Sequence, residues 1–151
     1  MNAHAQKNRE ASKTVIRTFE NAIATKDSAA FKKLFFHPKV PFIGVMSEKT
    51  EMSIKQDNPD FEGVAVSNAS KFIEEICSAN GKQKEAFYNL AIESEENVSS
   101  ISFDYTFSSS NEMVQWGHEK WNLVYLDDQW LITNVTYSIH FPDVEPCPFI
   151  K

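Results

Sequence analysis

The sequence is poor in the residues that build several common kinds of functional site. It has two cysteines, Cys77 and Cys147, with no close pair at metal-ligand spacing, and its four glycines form no phosphate-binding loop. No serine stands in a nucleophile elbow. We therefore predict two free thiols, no metal site and no cofactor, which fits a reducing compartment.

Long apolar runs and an excess of positive charge are also missing. No stretch approaches the roughly 20 apolar residues of a membrane helix, and residues 1–13 lack the apolar centre of a secretory signal. The net charge of −6 argues against sequence-independent binding to the phosphate backbone of a nucleic acid. We expect a cytoplasmic protein with neither a membrane nor a nucleic acid as partner.

The chain has the length and the hydrophobic content of a domain with one packed core. It contains 151 residues, of which 42% are hydrophobic and 12 are phenylalanine. This length is usual for a single domain. Large aromatic rings bury much area but leave irregular gaps between them, and such gaps can become pockets.

Apolar residues at helical spacing predict two helices near the N terminus. The first buries Val15, Ile16, Phe19, Ala22 and Ile23. The carboxylate of Asp27 is a suitable N-cap for a second helix, which His37-Pro38 ends.

Residues 40–46 predict a short strand, and a third helix is expected after Ser67 as its N-cap. Residues 47–63 lie between them, are polar and show no sustained period. This stretch predicts a long loop, and we expect residues 47–66 to be mobile and to gate the cavity.

From residue 84 onward the pattern alternates as in strands, over residues 85–93, 98–107, 113–126 and 130–141. Helices first and a meander of strands last predict an α+β fold: a cone-shaped, curved antiparallel sheet packed on three N-terminal helices. The expected boundaries are a disordered tail at 1–10, the domain at 11–142 and a C-terminal tail at 143–151.

The turn at residues 127–129 decides which side chains share a face of the sheet. A three-residue loop places Leu126 opposite Trp130 and puts Glu119, Trp121 and Tyr137 on the more apolar face. Trp116, Trp130 and Ile132 then share the other face, where we expect a homodimer contact. A two-residue loop would shift one strand and exchange these sets.

The sequence resembles the nuclear-transport-factor-2-like (NTF2-like) superfamily, in particular its SnoaL-like branch. The resemblance is carried by FENA (19–22) and DSAAF (27–31) in the helices, and by GHEKWNLV (117–124) and WLITNVTYS (130–138) in the strands. It implies a cavity between the concave sheet and the first helix, and a dimer through the outer face of the sheet. The superfamily includes cyclases, isomerases, dehydratases and non-catalytic modules, so the fold does not assign the function.

The chain departs from the steroid isomerases of this superfamily. Where their first strand carries an aspartate base, this chain has Phe42 and Ile43. Glu119 is instead the best candidate for a general acid or base, because an aromatic wall raises the pKa of a carboxyl group. His37 is the second candidate. The predicted ligand contacts are aromatic: Phe19, Phe42, Tyr88, Tyr105, Trp121 and Tyr137.

The sequence therefore predicts a SnoaL-like protein that holds a small hydrophobic or aromatic molecule in an enclosed cavity between sheet and helices. Two alternatives stay open. One is a cofactor-independent lyase, isomerase or cyclase that acts on a small carbonyl compound through Glu119 or His37. The other is a non-catalytic dimerisation module.

Overall fold

The structure is a computed structural model that describes residues 3–150. It confirms the predicted α+β fold, in which N-terminal helices pack on a curved, unclosed sheet of six strands. The helices are α1 (Ala3–Thr25), α2 (Ser28–Lys32), α3 (Glu48–Asp57) and α4 (Ala69–Ser78). The strands are β1 (Pro41–Met46), β2 (Val64–Asn68), β3 (Gln83–Glu95), β4 (Val98–Ser109), β5 (Glu112–Leu126) and β6 (Gln129–Ile139). Their order is β2-β1-β6-β5-β4-β3, and only the β1–β6 pair is parallel in this sheet.

The first two helices form as the sequence predicts. The buried side of α1 carries the expected apolar residues, including Phe19 and Ile23. Asp27 caps α2, and its carboxylate accepts a hydrogen bond of 3.0 Å from the Ala30 N–H. Helix α1 begins at Ala3, so residues 3–10 are helical where a disordered tail is predicted; residues 1, 2 and 151 lie outside the described residues.

The long loop predicted for residues 47–63 is wrong, because most of this stretch is helix α3. The Ser47 hydroxyl accepts a hydrogen bond of 3.2 Å from the Thr50 N–H and so caps the helix. Thr50 is the one buried residue within α3, so the helix has almost no apolar stripe from which to predict it. Helix α4 begins one residue later than expected, with Asn68 instead of Ser67 as its N-cap. The mobility of residues 47–66 stays a prediction.

The hairpin between β5 and β6 has a two-residue turn, and a bulge corrects for it. Asp127 and Asp128 both have positive φ, and Leu126 pairs with Gln129. One extra residue, Thr133, then shifts the pairing, so that Glu119 faces Tyr137 as the sequence predicts. The three-residue loop is wrong, yet the pairing beyond the bulge is the predicted one.

The bulge changes the face of the residues between it and the turn. Trp130 and Ile132 were expected on the outer face, but they are buried in the hydrophobic core. The core lies on the concave face of the sheet, which packs against the helices. At its centre Phe19 lies 4.6 Å from Trp121 and 4.8 Å from Phe31 between ring centroids.

The outer face near Trp116 is covered by the C-terminal segment (residues 141–150). The Trp116 indole N–H donates a hydrogen bond of 2.7 Å to the Glu145 carbonyl, and the Phe149 ring packs edge-on against Trp116. Residues 143–150 therefore pack on the sheet. Since Trp130 and Ile132 are in the core and Trp116 is covered, the expected dimer surface does not exist as predicted. A homodimer stays a prediction without this support.

Both cysteines are free thiols in the described part of the chain, as predicted. Within residues 3–150, none of the helices combines the length and the apolar character needed to cross a membrane.

Candidate functional site

A cavity of about 460 Å³ lies between helix α4 and the concave face of the sheet. We call it the sheet–helix cavity. It forms because α4 follows directly on β2 and is held away from the far ends of β3 to β6. Its lining residues are Ala65, Val66, Ser67, Lys71, Phe72, Glu75, Ile76, Gln83, Phe107, Gln115 and Tyr137.

The wall that the sheet contributes carries a chain of hydrogen-bonding groups. Gln115 donates a hydrogen bond of 3.1 Å to the Tyr105 hydroxyl oxygen, and this hydroxyl donates one of 2.7 Å to the Ser138 carbonyl. The Tyr137 ring stands edge-on to the Tyr105 ring, with 6.1 Å between centroids. The sheet side of the cavity therefore carries hydrogen-bonding groups beside Phe107, and the α4 side combines Phe72 and Ile76 with the charged Lys71 and Glu75.

A glycine makes room for Tyr137. A Cβ atom at Gly44 would lie 2.7 Å from Cε2 of Tyr137 and 2.7 Å from Cδ1 of Ile139. These distances are shorter than van der Waals contact, so a side chain at position 44 and the present position of the Tyr137 ring exclude one another.

The variant Gly44→Ala tests this close packing. We expect it to lower the free energy of unfolding by about 1–3 kcal/mol, because the Tyr137 ring must move. Urea denaturation measures the loss. Val45→Ala, at an exposed neighbouring position, is the matched control and should change stability by less than about 0.5 kcal/mol. Equal effects of the two variants would contradict the close packing.

Glu119 is buried on the concave face, next to Tyr137 on the neighbouring strand, and is not itself a lining residue of the sheet–helix cavity. Its side chain is 4% exposed, and Oε2 accepts a hydrogen bond of 3.2 Å from the Trp121 indole N–H. Burial disfavours the charged form and raises the pKa of Glu119 to about 8, although the hydrogen bond from Trp121 opposes the shift. At neutral pH this carboxyl group is therefore mostly protonated.

Sequence reasoning missed a second buried acid, Glu85. Burial raises its pKa well above the usual range, and the nearby carboxyl groups of Glu119 and Glu20 raise it further. Its position on the core face could have been inferred, since Gln83, Glu85 and Phe87 alternate along β3. The concave face thus holds two carboxyl groups that cannot both ionise cheaply.

The two tyrosines stay protonated as well. Burial, with the nearby Glu119 carboxyl as the next cause, raises the pKa of Tyr137 to about 12. The same two causes raise the pKa of Tyr105 well above its usual range. At neutral pH the site therefore offers phenol hydroxyls and a protonated carboxyl group, all of which can donate hydrogen bonds.

The structure brings only part of the predicted site together. Of the six predicted ligand contacts, all within residues 3–150, Tyr137 alone lines the sheet–helix cavity. Phe19, Phe42, Tyr105 and Trp121 are each at most 1% exposed and fill the space where an enclosed pocket is predicted.

Two further predicted residues lie elsewhere. Tyr88 is on the outer face, where its ring packs against Phe149, because Phe87 takes the core position on β3. His37 is exposed between α2 and β1, where its Nδ1 accepts a hydrogen bond of 3.0 Å from the Lys39 N–H. Neither residue reaches Glu119, so His37 is not part of this site.

No group of three His, Cys, Asp or Glu side chains in the described part of the chain is arranged to hold a metal ion.

Comparison with known proteins rests on structure. No known protein family matches the sequence, and no curated protein matches it either. An NTF2-like protein of unknown function from Silicibacter pomeroyi is similar in structure, with a TM-score of 0.62, 14% sequence identity and coverage of 93% of this chain and 100% of that chain.

Two other solved structures carry names that suggest enzymes. A dehydratase candidate of the NTF2-like family from Streptomyces avermitilis has a TM-score of 0.64, 10% identity and coverage of 91% and 99% of the two chains. An aromatic ring hydroxylase candidate from Novosphingobium aromaticivorans has a TM-score of 0.60, 12% identity and coverage of 90% and 91%. At these identities the similarity extends to the fold alone.

Proposed function

Because the chain has the NTF2-like, cystatin-like fold, we propose that it binds a small, largely apolar molecule with a carbonyl group in the sheet–helix cavity. The observation that carries the proposal is the cavity itself. Its volume of about 460 Å³ falls in the range of small-molecule sites, roughly 300–1,000 Å³. We also propose that the chain belongs to the SnoaL-like branch of the NTF2-like superfamily.

The two walls of the cavity explain the choice of ligand. Phe72, Ile76 and Phe107 offer apolar surface for the body of the ligand. On the sheet side, the Tyr137 hydroxyl and the second N–H of the Gln115 amide are neutral donors, whereas the Gln83 amide already donates to Asn80 and Ser109. A carbonyl oxygen accepts hydrogen bonds from such groups without bringing a charge into a buried site.

Binding can be tested with 1-tetralone, a small aromatic ketone, on the ¹⁵N-labelled chain. We expect the side-chain amide resonances of Gln83 and Gln115 to shift during the titration. Ala65→Trp places an indole in the cavity and should weaken binding about tenfold or more, which corresponds to ~1.4 kcal/mol. The matched control is Ala91→Trp at an exposed site on β3; affinities equal in both variants would refute the proposal.

A second function, acid–base catalysis, is favoured by the buried carboxyl groups. The Cα partner of Glu119 on β6 is Tyr137, which lines the cavity. A carboxyl group with a pKa of about 8 exists in both protonation states near neutral pH, which suits a general acid or base. The dehydratase candidate among the similar structures is named for a reaction of this class.

The test of catalysis is hydrogen exchange at the carbon next to the carbonyl of 1-tetralone in D₂O. The ionised Glu119 takes the α-proton, the substrate becomes its enolate, and a deuteron from the exchanged carboxyl group returns to the carbon. We expect the protein to accelerate this exchange, and Glu119→Gln to abolish the acceleration while changing the Kd by less than about twofold.

The exposed carboxylate of Glu93 supplies the matched control, since Glu93→Gln should keep the full rate. Binding of 1-tetralone without accelerated exchange would leave the binding function and remove the catalytic one. A non-catalytic dimerisation module would show neither, and its homodimer would be seen by light scattering.

A further inference from the structure

A second, larger cavity lies at the opposite end of the concave face. We call it the α1 cavity. It has a volume of about 770 Å³ and lies between the N-terminal half of α1 and the turn that joins β5 to β6. Along β5, Gln115 lines the sheet–helix cavity and Tyr125 lines the α1 cavity. The buried Glu119, Trp121 and Leu123 lie between them on the same face, so the two cavities are separate.

The α1 cavity exists because the helix packs on one side of the sheet. Contacts of α1 with the sheet fall mainly on β3, so its flank toward β5 and β6 is left free. Ala11 and Val15 line this flank, facing Tyr125 and Trp130 across the gap. The middle of the cavity is thus apolar, and its size suits a molecule of one or two fused rings.

Two polar side chains in its wall lack a full set of partners. Asn8 is 7% exposed, and its amide nitrogen lies 3.4 Å from His4 Nε2. The Asn8 Oδ1 atom has no hydrogen-bond partner within residues 3–150 and is not one of the fully buried unpaired atoms there, so it is accessible. The Trp130 ring forms part of the opposite wall, and its buried Nε1 has no acceptor in the same range. An unpaired buried polar group destabilises the folded chain, and a ligand that pairs with it removes this cost.

The charged residues at the rim do not select an ion. Lys7 and Lys33 are balanced by Glu96 and Asp128. A neutral ligand fits this balance better than a carboxylate or an ammonium group does. A hydroxyl group both donates and accepts, so it can serve an amide oxygen and an indole N–H alike.

We propose that the α1 cavity is a second binding site, which takes a neutral aromatic molecule carrying one hydroxyl group. The ring lies between Val15 and Trp130, and the hydroxyl group bonds to the free end of the Asn8 amide. This site is independent of the sheet–helix cavity and of any reaction there.

The experiment compares 2-naphthol with naphthalene, which has the same rings without the hydroxyl group. Each is titrated into the ¹⁵N-labelled full chain while the Trp130 indole resonance, assigned with Trp130→Phe, is followed. We expect 2-naphthol to shift this resonance and to bind about fivefold or more tightly than naphthalene. In Asn8→Leu, both compounds should bind with similar affinity.

Two further variants separate this site from the other cavity. Ala11→Phe fills the α1 cavity and should abolish the shift of the Trp130 resonance. Ala65→Trp, which fills the sheet–helix cavity, should leave it unchanged. The proposal is overturned if 2-naphthol at its solubility limit does not shift the Trp130 resonance, or if Asn8→Leu keeps the full preference for 2-naphthol.

Discussion

As the pH rises from 5 to 8, the free energy of unfolding of Glu119→Gln is expected to rise by about 3–4 kcal/mol relative to that of the unsubstituted protein. The reason is the pKa of Glu119, which burial raises from 4.5 in the unfolded chain to about 8 in the folded one. Between these two values the folded state binds more protons than the unfolded state. Its stability therefore falls as the pH rises from 4.5 to 8. Glutamine has a similar shape and no proton to lose.

Urea denaturation from pH 5 to pH 9 measures this difference. Glu93→Gln, which removes an exposed carboxylate, should give a curve parallel to that of the unsubstituted protein. Some fall in stability should remain in Glu119→Gln because Glu85 still has a raised pKa. Adding Glu85→Gln should flatten the profile further. Parallel profiles for Glu119→Gln and the unsubstituted protein would show that Glu119 is ionised in the folded state at neutral pH.

Trp121→Ala is expected to lower the free energy of unfolding by about 3–5 kcal/mol. Trp121 is fully buried, and its ring contacts Phe19, Phe87 and Phe103 at centroid distances of 4.6, 5.7 and 5.1 Å. Truncation leaves a cavity among these rings and removes the hydrogen bond that the Trp121 indole N–H donates to Glu119. Trp121→Phe keeps most of the ring and should cost about 1–3 kcal/mol for the lost donor.

Urea denaturation measures the free energy of unfolding of both variants, and Phe36→Ala is the control. Phe36 is 56% exposed, so its truncation should lower the free energy of unfolding by less than about 0.5 kcal/mol. A loss below about 1 kcal/mol for Trp121→Ala would mean that Trp121 borders an open pocket. That result would restore the aromatic pocket that the sequence predicts and the packed core lacks.

The elements with strong periodicity could be predicted from the sequence. The apolar stripe of α1 and the alternation along β4 each fix a buried side from local sequence alone. Helix α3 could not be predicted in this way, because Thr50 is its one buried residue and capping by Ser47 is a weak local signal.

Part of the candidate site could be predicted, for a physical reason. Alternation along β5 places Glu119 with Trp121 whatever the turn, and this pair is found together. The empty space was placed wrongly, because the volumes of Phe19, Phe42 and Trp121 suffice to fill the centre of the cone. Packing of this kind depends on side chains from distant elements, and so does the covering of Trp116 by the C-terminal segment.

The bulge at Thr133 has a consequence for how this chain can change length. Deletion of Thr133 would remove the bulge and leave a regular two-residue hairpin, in which Leu126 still pairs with Gln129 and Glu119 still faces Tyr137. Every inward position would be kept. In relatives of this chain, the residue at position 133 can therefore be lost without an accompanying change of length at the turn.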